Sequence, residues 1–282
     1  MACAADTTYL VATAQQIHGL HAVGTAAFGR LLTGASMMGS LLKGECATVQ
    51  LKVDGGGPLG PMIALADSHG NCRGTVRNPA VDLPLKPNGK LDVGAAVGSD
   101  GLLGVMRDDG EGHTYTGQVK LLSGEIAEDI ASYFAVSEQV PAVCALGVLV
   151  GKEDPNQLLA GGLLIQVMPG ATQTEIDRLE RNAQTLSPVT HMLAQGMSIE
   201  DMCACALEGL PFEELASSRI AYTCDCSRAR VERAFSSLRP DEIRSLADET
   251  GFAEAKCQYC GRTYRFSKEE LDSIAKRVES KY

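Results

Sequence analysis

The sequence predicts an α+β protein, with a mainly antiparallel N-terminal sheet and packed helices, a metastable helical linker and a small helical C-terminal domain. Three observations carry this. Helical and period-two hydrophobic patterns succeed one another over residues 1–170, with connections that favour hairpins over parallel crossovers. Residues 171–218 are acidic and break into short helical segments, none with a wide apolar stripe. Residues 219–282 hold two close cysteine pairs, Cys224-Asp225-Cys226 and Cys257-Gln258-Tyr259-Cys260, with thirty residues between them. Four thiols in two pairs make a tetrahedral Zn²⁺ site, so the last segment is expected to be a zinc-binding domain.

Composition narrows the function classes. A chain of 282 residues is long enough for one large or two modest domains with real cores. It begins MACAADTTYL, without a basic stretch leading into an apolar one, and has no apolar run of about eighteen residues. These features predict a soluble cytoplasmic protein with no membrane partner. Ten cysteines in such a chain point to metal or redox use of thiols. A net charge of −10 and a pI near 5.0 argue against duplex DNA or an anionic membrane as a general partner. Tryptophan is absent and aromatics make up 5%, so the core is expected to be aliphatic.

In chain order, a helix is expected over Thr8 to His18 and a stronger one over Thr25 to Lys43. In the second, Phe28, Leu31, Leu32, Ala35, Met38, Leu41 and Leu42 form a core-facing stripe. Cys46 to Val53 alternates like a strand. GGGPLGP then makes a turn rather than a phosphate loop, since it lacks the Lys-Ser/Thr of a P-loop and the GxGxxG order. Met62 to Ala66 reads as a strand leading into a hairpin turn at Asp67 to Asn71. Further strands are expected at Leu91 to Val97, Leu103 to Arg107 and Tyr115 to Leu122, then a helix from Glu125 to Ser137. Glu138 and Gln139 serve as helix-end hydrogen-bonding groups. Strands Ala142 to Val150 and Leu158 to Val167 flank a turn at Gly151 to Asn156.

In the linker, short helices are expected at Glu175 to Thr185, Pro188 to Gln195, Ser198 to Leu207 and Pro211 to Ala216. Such helices hold only while docked. Cys203 and Cys205 read as small buried hydrophobes, since i, i+2 side chains diverge on a helix. Helices at Ser227 to Leu238, Pro240 to Thr250 and Ser267 to Lys281 complete the C-terminal segment, where Gly261 can supply the turn of the second half-site.

Two readings of the cysteine pairs stand side by side. One is a purely structural zinc ribbon. The other is a redox switch, because zinc holds thiolates and thiolates are what oxidants attack. In the second reading Cys224 joins Cys226, Cys257 joins Cys260, the metal is expelled and the module unfolds. No histidine lies near the pairs in sequence, so the ligand set is expected to be all sulfur: Cys224, Cys226, Cys257 and Cys260. Basic and acidic residues nearly balance across 219–282, which lowers a nucleic-acid-binding ribbon as an alternative. A thiol- or metal-dependent enzyme is a further alternative, and a closed four-sulfur site leaves it no open coordination position.

Several stretches carry a resemblance: CDCSRARVERAF, DEIRSLADETG, CQYCGRTYRF, YFAVSEQVP, AGGLLIQVMPGA and GRLLTGASMMGSLLKGE. In that order they resemble the 33 kDa chaperonin family, the redox-regulated heat-shock chaperones called heat shock protein 33, over nearly the whole chain. The resemblance implies a cytoplasmic, ATP-independent holdase rather than an enzyme, silent while reduced and holding one Zn²⁺ per chain. It implies ligation by Cys224, Cys226, Cys257 and Cys260, and Cys224–Cys226 and Cys257–Cys260 disulfides on oxidation. It also implies unfolding clients as partners, hand-over to ATP-dependent foldase chaperones, and a homodimer as a state to test for in the oxidised form. Cys203 and Cys205 are not part of that family pattern. The opening ACAADTT reads as the end of the family's first strand, which leaves two readings open: a missing sheet edge or a different start site.

Overall fold

Two antiparallel sheets frame residues 1–223, the larger of two compact units in the chain; residues 224–282 form the other. A computed structural model describes residues 1–151 and 157–280. The smaller sheet has the order β1-β8-β7, built from β1 (Ala2–Asp6), β7 (Ala142–Val150) and β8 (Leu158–Gln166). The larger has the order β4-β3-β2-β5-β6, from β2 (Thr48–Asp54), β3 (Met62–Asp67), β4 (Cys72–Val76), β5 (Leu102–Asp108) and β6 (Thr114–Lys120). The fold is the α+β arrangement expected, and the strands of both sheets pair antiparallel.

Helix α1 (Thr8–His18) has the expected bounds, closed by Gly19 in the left-handed region at φ 63°. Helix α2 (Ala22–Ser40) starts earlier than expected and is buried on nearly every side from Val23 to Gly39. A helix this apolar all round needs neighbours all round. It packs on β3 of one sheet and on β7 and β8 of the other. Met38 sits in this core, 3% exposed, as its spacing predicts, and Met37 is buried beside it, 1% exposed.

Several elements depart from expectation. The opening residues form an edge strand, Ala2 opposite Ile165 through Asp6 opposite Gly161. Leu91 to Val97 is not a strand: Val93–Val97 is the short helix α3, capped by the Asp92 carboxylate, which accepts from Ala95 N at 3.1 Å. Val93, Ala96 and Val97 are its buried residues, an i, i+3, i+4 set that alternation masks. Helix α4 spans only Ala127–Tyr133, and a π-helical turn follows at Phe134–Glu138. Its start is set by Asp129, whose carboxylate accepts from the backbone N–H of Leu122, Ser123 and Ile126 and holds Ile126 at φ 72°. Gln139 closes the helix end as expected, through its N–H to Phe134 O. Glu138 instead reaches across to β5, accepting from the Tyr133 hydroxyl and from Arg107 at 3.0 Å. The turn expected at Gly151 to Asn156 lies, past Gly151, outside the described residues.

Helices α5 (Gln173–Thr185), α6 (Val189–Ala194) and α7 (Ile199–Ala206) cover the face of the smaller sheet turned away from α2. Leu163 and Ile165 of β8, with Ala2 and Ala4 of β1, pack there against Leu179, Leu186, Cys203 and Ala206. The hold is light. Helix α5 buries no residue, α6 buries Val189 and Met192, and α7 buries Met202 and Ala206. Cys203 is half-buried as a packing residue, whereas Cys205 is exposed, contrary to the expectation for both. The helix expected at Pro211 to Ala216 is absent. Phe212 and Leu215 are exposed there, and so short a helix has nothing to dock against.

Residues 224–280 are not helical throughout. Helices α8 (Arg228–Phe235), α9 (Pro240–Ser245) and α10 (Lys268–Glu279) surround a hairpin of β9 (Phe252–Lys256) and β10 (Thr263–Ser267). Their core is Ile243, Ala253, Phe266, Leu271, Ile274, Ala275 and Val278. Ser267 caps α10 with Glu270, as expected, and the expected last helical residue, Lys281, lies outside the described residues.

Candidate metal centre

The four cysteines come from two unlike local structures. Cys224 and Cys226 lie in an extended stretch ahead of α8, where side chains at i and i+2 point the same way, so CxC presents two sulfurs to one side. Ser227 ends that stretch by capping α8, its hydroxyl accepting from Arg230 N at 3.3 Å. Cys257 and Cys260 sit in the β9–β10 turn. Cys257 N donates to Arg262 O at 2.9 Å and Gly261 N donates to Cys257 O at 2.9 Å. Gly261 takes φ 72°, a left-handed conformation that side chains resist.

All four sulfurs lie within 4.8 Å of one another. The short contacts run between the half-sites: Cys224 Sγ to Cys257 Sγ at 3.7 Å and Cys226 Sγ to Cys260 Sγ at 3.3 Å. Thiolates about 2.3 Å from a shared tetrahedral ion stand about 3.8 Å apart, so the cluster could hold one metal ion. Burial pushes the Cys224 thiol up to about 12 and raises Cys260 as well. Burial works against Cys226 too, but the Tyr264 hydroxyl at 3.2 Å and the neighbouring thiols outweigh it, leaving Cys226 lowered to about 7. Cys226 therefore ionises more readily than Cys224 or Cys260. Ionising all four needs a cation among them.

Two supports were not expected from sequence. Tyr264, on β10, presents its hydroxyl to Cys226. Arg228, two residues after Cys226, lies 4.1 Å over the Phe266 ring, donates to Arg265 O at 2.7 Å and pairs with Glu270 at 2.7 Å. It binds the first half-site's helix to the hairpin and α10. Among the described residues a second group, Asp109, Glu111 and His113, gathers on the β5–β6 turn. There the Asp109 carboxylate accepts from the backbone N–H of Glu111 and His113 and closes the turn. Cys203 and Cys205 are not in the four-sulfur cluster. Among the described residues no helix is long and apolar enough to cross a membrane.

The chain is similar to curated proteins called 33 kDa chaperonin. It is 41% identical to the one from Geobacillus sp. (strain WCH70) over 280 residues, covering 99% of this chain and 94% of that one. It is 44% identical to that of Geobacter sulfurreducens over 273 residues, covering 97% and 90%. A crystal structure of the 33 kDa chaperonin (heat shock protein 33 homolog) of Thermotoga maritima matches with a TM-score of 0.86 at 34% identity, covering 96% of this chain and 91% of that one. A family model described as Hsp33 protein matches residues 1–267. The chain therefore belongs to the Hsp33 family and is a chaperone.

Proposed function

We propose that the protein is a redox-regulated, ATP-independent holdase and not an enzyme. It is built as a client-binding domain at 1–170, a conditional linker at 171–218 and a redox module at 219–282. The observation that carries the reading is the convergence of four sulfurs within 4.8 Å of one another, with no histidine or carboxylate joining them among the described residues. Zn²⁺, the ion that suits an all-thiolate tetrahedral site, would be held by Cys224, Cys226, Cys257 and Cys260, and when bound it keeps them ionised and the two half-sites together. The small core of the module makes that link a large share of its stability, since structural zinc is worth about 10 kcal/mol or more in small modules.

Oxidation acts on the sulfurs. In each pair two thiolates pass two electrons to hydrogen peroxide, which takes two protons from solvent; an S–S bond forms, the O–O bond breaks and two waters leave. The pairing proposed is Cys224 with Cys226 and Cys257 with Cys260, after which no thiolate remains to hold the ion. The module then loosens. Helices α5 to α7, which bury few side chains, leave the sheet face formed by Leu163, Ile165, Ala2 and Ala4. That apolar face can hold partly unfolded proteins until ATP-dependent foldases take them. Reduction by cytosolic dithiols reverses the sequence. We place the protein in the cytoplasm and propose that the oxidised form self-associates as a dimer.

The test treats reduced, zinc-loaded protein with peroxide at heat-shock temperature and follows zinc release, thiol count and light scattering of a thermally unfolding client. One zinc per chain lost with four thiols, and client aggregation stopped only after oxidation, is the expected result. Peptide mapping should find the two disulfides within the half-sites; Cys224–Cys257 or Cys226–Cys260 links would overturn the pairing. Zinc retention, or release without aggregation suppression, would leave the site structural only.

A further inference from the structure

Strand β4 is an edge strand, and the chain covers that edge with its own residues 218–223. Residues 211–219, which lead into the covering segment, are exposed and without regular structure. Cys72 N donates to Ala221 O at 3.0 Å and Thr223 N donates to Cys72 O at 3.0 Å, a parallel bridge between Cys72 and Tyr222. Ala221 N donates to the Asn71 side chain at 3.1 Å. The next edge-facing residue, Gly74, is covered by a side chain. The Tyr222 hydroxyl donates to Gly74 O at 3.0 Å and accepts from Gly74 N at 3.2 Å. His18 Nε2 lies 3.0 Å from the same hydroxyl, so with the hydroxyl proton directed at Gly74 O, His18 donates through Nε2–H.

The ring has a seat of its own. Tyr222 meets His18 edge-on at 6.3 Å, and His18 meets Phe28 edge-on at 5.5 Å. A Cβ on Gly74 would clash with Ile63 O and lie 2.8 Å from the Phe28 ring, so this position of β4 takes glycine. Ile220, two places before Tyr222, packs with it against the same core, as alternate residues of an extended segment do. A sheet edge with unpaired N–H and C=O groups accepts an added strand. We propose that, once residues 218–223 are freed, the β4 edge takes an extended segment of a client chain with an aliphatic residue two places before an aromatic one.

The assignment rests on the holdase reading above, and the test separates the two. The probe is a fluorescein-labelled peptide, Ser-Arg-Ile-Ala-Tyr-Thr, titrated by anisotropy into full-length protein, either zinc-loaded and reduced or peroxide-oxidised. The oxidised form should bind it at least tenfold more tightly. A Tyr222→Ala peptide, and one with the Thr223 amide N-methylated, should each bind at least tenfold more weakly. Saturating parent peptide should restore client aggregation; the N-methylated peptide should not. Equal binding by both protein forms, equal binding of all three peptides, or no binding to the oxidised form overturns the assignment. Aggregation suppression that survives saturating peptide removes the edge as the client site and leaves the holdase reading intact. Absence of suppression in every preparation, with selective peptide binding retained, removes the holdase reading while supporting the edge as an extended-peptide site.

Discussion

The Tyr264 hydroxyl lies 3.2 Å from Cys226 Sγ and helps draw that thiol down to about 7. A donor at that distance steadies the thiolate before and during metal binding, as outer partners of metal ligands do. Tyr264→Phe should weaken Zn²⁺ binding by about 10–100-fold while leaving the fold intact. Competition against a chromophoric chelator measures this; an unchanged affinity would show that the contact does not support the site.

Gly261 offers a test of the turn alone. An added Cβ would meet only Lys256 Cε at 3.9 Å, so space is not the obstacle; the backbone at φ 72° is. Gly261→Ala should cost about 1–2 kcal/mol in the metal-bound form, or about 5–30-fold in apparent affinity. A thermal melt of the zinc-loaded chain should report the same loss.

Glu125 ties three segments together. Its carboxylate meets Arg30 at 2.5 Å, Lys86 at 2.5 Å and Gly94 N at 3.4 Å. Burial alone would raise its pKa, but the bonds from Lys86 and Arg30 outweigh burial and lower it. A carboxylate with a depressed folded-state pKa contributes stability that is full above its unfolded value, about 4.3, and lost as pH falls through the folded one. Acid should therefore destabilise the 1–223 unit from about pH 4 downward. Glu125→Ala, which strands the half-buried Arg30, should cost about 2 kcal/mol at neutral pH and flatten that slope in urea titrations.

The remaining thiols should separate by reactivity. Cys46 and Cys205 are exposed, while burial raises Cys3 and Cys203 and pushes Cys144 up to about 12 and buried Cys72 further still. In the zinc-loaded protein iodoacetamide should label Cys46 and Cys205 at least about 100-fold faster than Cys72 and Cys144, as read by peptide mass spectrometry. Fast labelling of Cys72 in the resting protein would mean that its burial is not maintained.

What could be read from the sequence was what lies close along it. Helix α1 keeps its own stripe and the cysteine pairs keep their own spacing, so both were legible before any fold was known. Val93 to Val97 was not, because small apolar residues satisfy period two and period 3.6 alike, and the Asp92 cap decides between them. The β9–β10 hairpin was hidden by charged residues in its strands, Glu254, Lys256 and Arg265, which face outward on a small sheet. Tyr222 carried no local signal, since its partners His18 and Gly74 lie 204 and 148 residues away. Tyr264 and Arg228 act through a core assembled only when the hairpin closes.

Thr223 alone stands between Tyr222, seated on Gly74, and Cys224, the first sulfur of the cluster. Two steps of extended backbone reach about 7 Å at most. The chain therefore has almost no slack at this point. A displacement of Cys224 longer than that reach must pull on the phenol, and a phenol held in its seat must restrain Cys224 in turn. Lengthening the join with inserted glycines would work like paying out rope: each half could then move without the other registering it.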